Sequence, residues 1–186
     1  SEQLARVVAY AEPGTICKDM IIPVPIFTKQ QDIVYYQLNN YINENGLNCY
    51  LFTPLKGNFP AQLVFRGTDD AESLSRDIFD LNGIGKTVFD ECKNKIAKMI
   101  ENYCRTTQNP ALEIIGHSLG GADAQRATIL CLELFNQENN NGPISRLSRI
   151  NCSAFCSPKL DQDTIKTWEE QIDKLKKHRS PPQIGL

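Results

Sequence analysis

The chain has 186 residues, 41% of them hydrophobic, with a formal net charge of -2 and seven cysteines. That length suits one domain with a sizeable apolar core, and the near-zero charge gives no electrostatic footprint for nucleic acid or for a generic anionic membrane surface. No apolar run approaches the length that spans a bilayer, and the N-terminus lacks the charged and apolar regions of a secretory leader. The odd set of thiols, Cys17, Cys49, Cys92, Cys104, Cys131, Cys152 and Cys156, has no metal-type spacing. It reads as mostly reduced and buried, which suits a cytoplasmic protein or an effector delivered into a reducing host cytosol. No metal and no cofactor is implied, and nothing in the sequence sets an oligomeric state.

In chain order, residues 3–10 read as a first helix and 11–27, broken by prolines and glycine, as irregular. A helix is expected over 29–44, closed by Asn45-Gly46. Residues 47–53 and 61–65 read as strands. The loop between them carries Pro54, Gly57 and Pro60, and its shortness predicts a hairpin. Between 69 and 85, Leu74, Ile78, Phe79, Leu81 and Ile84 mix with Asp69, Asp70, Glu72, Arg76, Asp77 and Asp80. This amphipathic piece fits either a cover that turns its apolar side onto a transiently bound membrane surface or a short helix fixed on the sheet. Val88, Cys92, Ile96, Met99, Ile100 and Tyr103 recur at helical spacing over 86–106, which reads as a crossover helix packed on the core.

Ala111-Leu112-Glu113-Ile114-Ile115 then reads as a short buried strand, and 122–135, rich in helix formers, as a helix. An Asn-rich polar loop over 136–142 separates that helix from the next strand, which begins near Ile150. The last helix is expected over 162–177, with Trp168, Ile172 and Leu175 on one face and the basic cluster of Lys174, Lys176, Lys177 and Arg179 as its solvated end. Strands alternating with helices imply one α/β domain over 1–186: a doubly wound, mostly parallel sheet with helices on both faces.

Between strand and helix stands Gly116-His117-Ser118-Leu119-Gly120-Gly121. Random order of this composition gives about 0.03 Gly-x-Ser-x-Gly matches per chain, so chance does not explain one in this context. A serine at a sharp strand-to-helix turn is lifted clear of the sheet, and side chains two before and two after it would collide. Gly116 and Gly120 remove them. The helix beginning at the serine aims its unpaired N–H groups and positive dipole end at the place where an oxyanion develops, so Leu119 is a candidate donor. His117 points away from its neighbour and reads as structural.

Three blocks in order resemble the class 3 lipases, the fungal-type triacylglycerol lipase family of α/β hydrolases. They are Gln62-Leu63-Val64-Phe65-Arg66-Gly67-Thr68, similar to the family's strand ending in Phe-Arg-Gly-Ser/Thr, then the elbow, then Ile150 to Lys159, similar to its strand ending in Gly-Ser-Pro-Arg. The resemblance runs from about Leu47 to about Trp168. It implies an α/β-hydrolase fold, Ser118 as nucleophile, Thr68 as a second oxyanion-hole donor through backbone N–H and hydroxyl, Arg66 as support for that loop, and a lid over 69–85. It implies cleavage of carboxylic esters of lipids, by a lipase or phospholipase, through an acyl-enzyme.

The family order continues from Ser to Asp to His, and here the chain departs from it. Asp161 and Asp163 align with the loop after Ser157-Pro158, Asp173 falls in a helix, and His178 follows the serine by only 60 residues at a charged helix end. The expectation is a chain cut before the family's Asp and His, an N-terminal part of a longer protein with the later strands absent and the fragment inactive alone. The alternative is a catalytically inactive hydrolase-like module that binds a lipid or a protein partner.

Overall fold

A computed structural model of the chain describes residues 4, 7–8, 11, 15–25, 32–67, 85–137, 142–178 and 181–185. Their elements are β1 (Ile21–Pro25), β2 (Ile33–Glu44), β3 (Leu47–Pro54), β4 (Ala61–Arg66), α1 (Lys86–Thr106), β5 (Ala111–His117), α2 (Leu119–Gln137), a 3-10 turn (Ile144–Arg146), β6 (Arg149–Phe155), α3 (Gln162–Leu175) and β7 (Gln183–Gly185). The seven strands form one sheet in chain order. β1 to β4 pair antiparallel and β4 to β7 parallel, so the sheet is mixed, and its parallel half carries the elbow.

The helix expected over 29–44 is a strand, β2. Its Ile, Val and Tyr residues fit a pleated surface, and Val34, Tyr36 and Leu38 point inward while Ile33 and Tyr35 point out. Asn45 and Gly46, at φ 53 and 89, form the left-handed two-residue turn of the β2–β3 hairpin rather than a helix cap. A bulge between Leu38 and Asn40 flips the strand. Before it Val34, Tyr36 and Leu38 enter one core; beyond it Ile42 enters the other.

The larger core joins Leu51, Leu63, Phe65, Leu112, Ile114 and Ile150 of the sheet to α1, α2 and Leu175 of α3. On the opposite face Tyr36, Phe52, Val64 and Ile115 pack with Leu4 and Val8. Both of these are helical, as expected for residues 3–10, most of which lie outside the described residues. Helical residues therefore cover both faces. Of the amphipathic piece over 69–85 all but Gly85 lies outside the described residues, as do 138–141 of the Asn-rich loop expected over 136–142, whose Asn136 and Gln137 instead continue α2. The later strands, expected to be absent, begin with β7, which pairs in parallel with Arg149 to Asn151 at the start of β6.

Polar ties hold the connections around β5. The Tyr103 hydroxyl donates to the Ala111 carbonyl at 2.9 Å and accepts from its N–H at 3.3 Å. Arg146 donates to the carbonyls of Cys104, Thr107 and Gln108 at 2.8 to 3.1 Å, closing the end of α1 onto the turn before β5. Asn45 donates to Glu91 at 2.9 Å, tying the hairpin turn to α1. All seven cysteines are free, and five are buried.

A Cβ on Gly46 would meet nothing within 4 Å, so a substitution there acts through backbone strain alone. Placing an L-residue at this left-handed angle costs about 1–2 kcal/mol. Gly46→Ala is therefore expected to lower the melting temperature by about 2–8 °C, measured by thermal circular dichroism, with the secondary-structure signal at low temperature unchanged.

Candidate active site

β5 ends at His117 and α2 begins at Leu119, so one residue makes the whole turn. That residue is Ser118, at φ 55, a left-handed conformation that costs a non-glycine residue about 1–2 kcal/mol. Two backbone hydrogen bonds hold it there: Ser118 N–H donates to the Phe155 carbonyl at the end of β6, and Gly121 N–H donates to the Ser118 carbonyl, each at 2.9 Å. The serine is half-buried, and among the described residues its hydroxyl has no hydrogen-bond partner.

The glycines are there because backbones touch. A Cβ on Gly116 would lie 1.9 Å from the Gly120 carbonyl oxygen, and one on Gly120 would lie 2.4 Å from the Phe65 carbonyl oxygen of β4. Gly67, which follows β4, belongs to the same contact: its Cβ position is 2.8 Å from the His117 carbonyl oxygen, 3.4 Å from Ser118 Cβ and 3.7 Å from the Leu119 nitrogen. Gly121 is confined by Ser157, whose Cβ would be 2.8 Å away. Ser157 is itself held by Gln125, whose Nε2 donates to its Oγ at 2.8 Å. Ser118, Gly116, Gly120 and Leu119 thus come together as expected. Thr68 lies outside the described residues, although Gly67 immediately before it is part of the contact.

Beside the elbow lies a charged cluster that the sequence pattern did not reveal. Arg126 pairs with Asp123 one turn back on α2 at 3.1 Å, both nearly buried, and its other nitrogen stands 3.9 Å from Asp161. Lys86 at the start of α1 approaches Asp161 at 3.7 Å. Burial pushes the Asp123 carboxyl up to about 6, partly offset by the Arg126 charge and hydrogen bond. Asp161 is held below its ordinary value: burial opposes this, but the Thr164 hydroxyl and backbone N–H both donate to it, and Lys86 adds its charge. Its role is therefore the N-cap of α3. The i, i+3 spacing of Asp123 and Arg126 was a signal on the sequence, but the contribution of Asp161 comes from a distant segment.

Neither histidine hydrogen-bonds to Ser118 among the described residues. His178 stacks on Phe135 with ring centroids 4.8 Å apart, and its Nδ1 is buried without a described partner. Phe135 is 16 residues beyond Leu119 on α2, so this contact sits about 24 Å along the helix from the serine. His178 anchors the far end of the helix. Among the described residues no group of three or more His, Cys, Asp or Glu side chains is placed to hold a metal ion, and no helix is long and apolar enough to cross a membrane.

An elbow of this geometry on a mixed sheet, with helical residues on both faces, defines an α/β-hydrolase fold. Residues 62–179, more than half of the chain, match the family model described as Lipase (class 3). The chain belongs to the class 3 lipase family. In comparisons with curated proteins and with solved structures, nothing matches.

Two predictions follow from this geometry. With the Gly120 carbonyl 1.9 Å from its Cβ position, Gly116→Ala has no room without moving α2 off the sheet; soluble yield and the cooperative thermal transition are both expected to be lost, as judged by size exclusion and calorimetry. Asp123 binds its proton more tightly in the folded than in the unfolded chain, so its contribution to stability is present below its ordinary value of 3.8 and fades as pH rises through about 6. Melting curves across that window should show the wild type losing stability relative to Asp123→Asn as pH rises. Arg126 stays charged throughout this window, so loss of its Asp123 partner adds only a pH-independent offset.

Proposed function

We propose that this protein is a serine hydrolase that cleaves carboxylic esters of lipids, as a lipase or phospholipase does, through an acyl-enzyme on Ser118. The observation that carries the reading is the serine itself, held at φ 55 between a strand and a helix, with its neighbours at two residues on either side reduced to glycine. Such strain is retained where a hydroxyl has to be presented rather than packed.

In this mechanism Ser118 Oγ attacks the ester carbonyl and gives its proton to a general base. The C–O bond to the alcohol then breaks as the base protonates the leaving oxygen, and water hydrolyses the acyl-enzyme by the same route. The tetrahedral oxyanion accepts hydrogen bonds from the backbone N–H groups of Leu119 and Thr68. Supporting the pair, the start of α2 turns its N–H groups and dipole toward the serine, and Gly67 packs against Ser118 and the Leu119 nitrogen. The base, a histidine oriented by an aspartate, is supplied by residues other than these 186, in a longer polypeptide of which this domain is a part. The seven free thiols suit a reducing compartment. A second reading, a module without turnover that binds a lipid or protein partner, is favoured by the absence, among the described residues, of any hydrogen bond between Ser118 and a histidine.

In the longer protein, a fluorophosphonate probe should label Ser118, and Ser118→Ala should abolish the label; equal labelling of both forms ends the nucleophile assignment. The 186-residue domain alone is expected to hydrolyse a short-chain ester far more slowly than an intact serine hydrolase, since a hydrolase without its triad partners retains only roughly three to four orders of acceleration over water. His178→Ala should leave that residual rate unchanged. An enzyme-like rate that His178→Ala removes would make His178 the base and overturn the placement of the triad.

A further inference from the structure

A cavity of about 210 Å³ lies on the helical side of the sheet, enclosed by α2, β6, the loop after β6 and α3. Its α2 wall is Gln125, Thr128 and Ile129, seven to eleven residues beyond Ser118, or about 10–16 Å along the helix axis. It is therefore separate from the position of the reacting carbonyl. The polar groups in its wall have partners within the protein. Gln125 Nε2 donates to Ser157 Oγ at 2.8 Å and to the Gly121 carbonyl at 3.3 Å. The Thr128 hydroxyl donates to the Ala124 carbonyl at 2.9 Å, and the Cys152 thiol interacts with Thr128.

What remains facing the space is hydrocarbon and ring: Ile129, Leu160, Ile165 and Trp168. The Ile165 side is open, that residue being 37% exposed. Among the described residues no charge lines the space, so an ionised head group gains nothing by entering, whereas apolar atoms do. An apolar cavity of roughly 150 Å³ is enough to hold benzene. At about 210 Å³ this one takes a somewhat larger apolar piece, such as a short length of alkyl chain.

We infer that this cavity is a second lipid site, which takes the alkyl chain of a single-chain lipid with its polar end left at the Ile165 mouth. The choice of a lipid chain over other apolar ligands rests on the ester-lipase reading given above. The site itself does not depend on Ser118 chemistry.

Trp168 is the one tryptophan of the chain and stands in the cavity wall, so its emission reports on the occupant. The purified protein is titrated, below the micelle threshold, with a brominated medium-chain alkanol and separately with the matching fatty acid. Neither contains an ester bond to cleave. Both are expected to quench Trp168 saturably with loss of most of its emission, because the shared alkyl chain is what binds. Ser118→Ala should bind as the wild type does, so loss of the nucleophile assignment leaves this result standing.

Two substitutions narrow the space from opposite sides, Ile129→Phe on α2 and Ile165→Phe at the exposed mouth, so that one folded variant suffices. Either is expected to weaken binding by roughly tenfold. Saturable quenching that both folded variants retain unchanged, quenching only when vesicles are added, or no quenching at all would overturn the site. A Trp168 already shielded from acrylamide in the unliganded protein would also overturn it, by showing the cavity covered by another polypeptide segment or a second copy.

Discussion

Everything at the elbow depends on three stretches of backbone meeting without side chains between them. Gly116 of β5, Gly120 of α2 and Gly67 after β4 each sit where a Cβ would fall within 3 Å of a carbonyl oxygen on one of the others. This contact brings α2 down onto the junction of β4 and β5, so that the helix can start one residue after the strand stops. A start that abrupt forces the single intervening residue to a positive φ. The Ser118 N–H then bonds to the end of β6, so three parallel strands share the strain of one residue. Substitution at any of the three contacts acts on the turn as a whole.

The remainder of α2 follows from where it starts. Sixteen residues later Phe135 meets His178, and between the two ends the helix is lined by Ala124, Ala127, Leu130 and Cys131 against the sheet. Small residues near its beginning, Gly120, Gly121, Ala122 and Ala124, let it approach the strands closely, and the larger Leu130, Leu132 and Phe135 pack in the core beyond. The charged cluster stands in the first half of the helix. Arg126 and Asp123 are nearly buried there, with Lys86 and the capped start of α3 beside them. A buried pair is weak evidence of net stabilisation, because desolvation offsets attraction, but removing one member leaves an uncompensated charge. Its effect here is on geometry: it joins the beginnings of α1 and α3 to the first part of α2, about two helical turns from Ser118.

The elbow was legible because its signals are local. An apolar run, two glycines at fixed offsets from a serine and a run of helix formers all fall within 25 residues, and each agrees with the others. Helix α1 was legible by its period, and α2 and α3 likewise, with boundaries shifted by a few residues. β2 was not. Asn39, Asn40 and Asn43 interrupt its alternation, with Asn40 exposed where the period of two calls for a buried residue, and the bulge turns the even positions onto the opposite face beyond it. Asn45-Gly46 then fits a helix end as well as a hairpin turn, since both need a positive φ, and only pairing with β3 decides between them. The N-cap role of Asp161 was hidden for a related reason: three residues on, Thr164 supplies a partner, but its neighbours Lys86 and Arg126 are distant in sequence.

The two halves of the sheet divide the work. The antiparallel half ends in β1, an edge strand whose Pro23 and Pro25 withhold N–H groups from any added strand. Its outer face carries the exposed Ile21, Ile33 and Tyr35, near Leu55 at the start of the loop before β4, which is the end of the sheet away from Ser118. The parallel half must be covered by crossover helices, which bury both strand and helix faces. That burial makes the contact at Gly116 and Gly120 possible, and the space beside Trp168 lies midway along α2, between the charged cluster nearer the helix start and the Asn136–Gln171 hydrogen bonds at its end. The strained serine and the apolar cavity thus share one helix, with Ser118 at its start and Gln125, Thr128 and Ile129 about two to three turns further on.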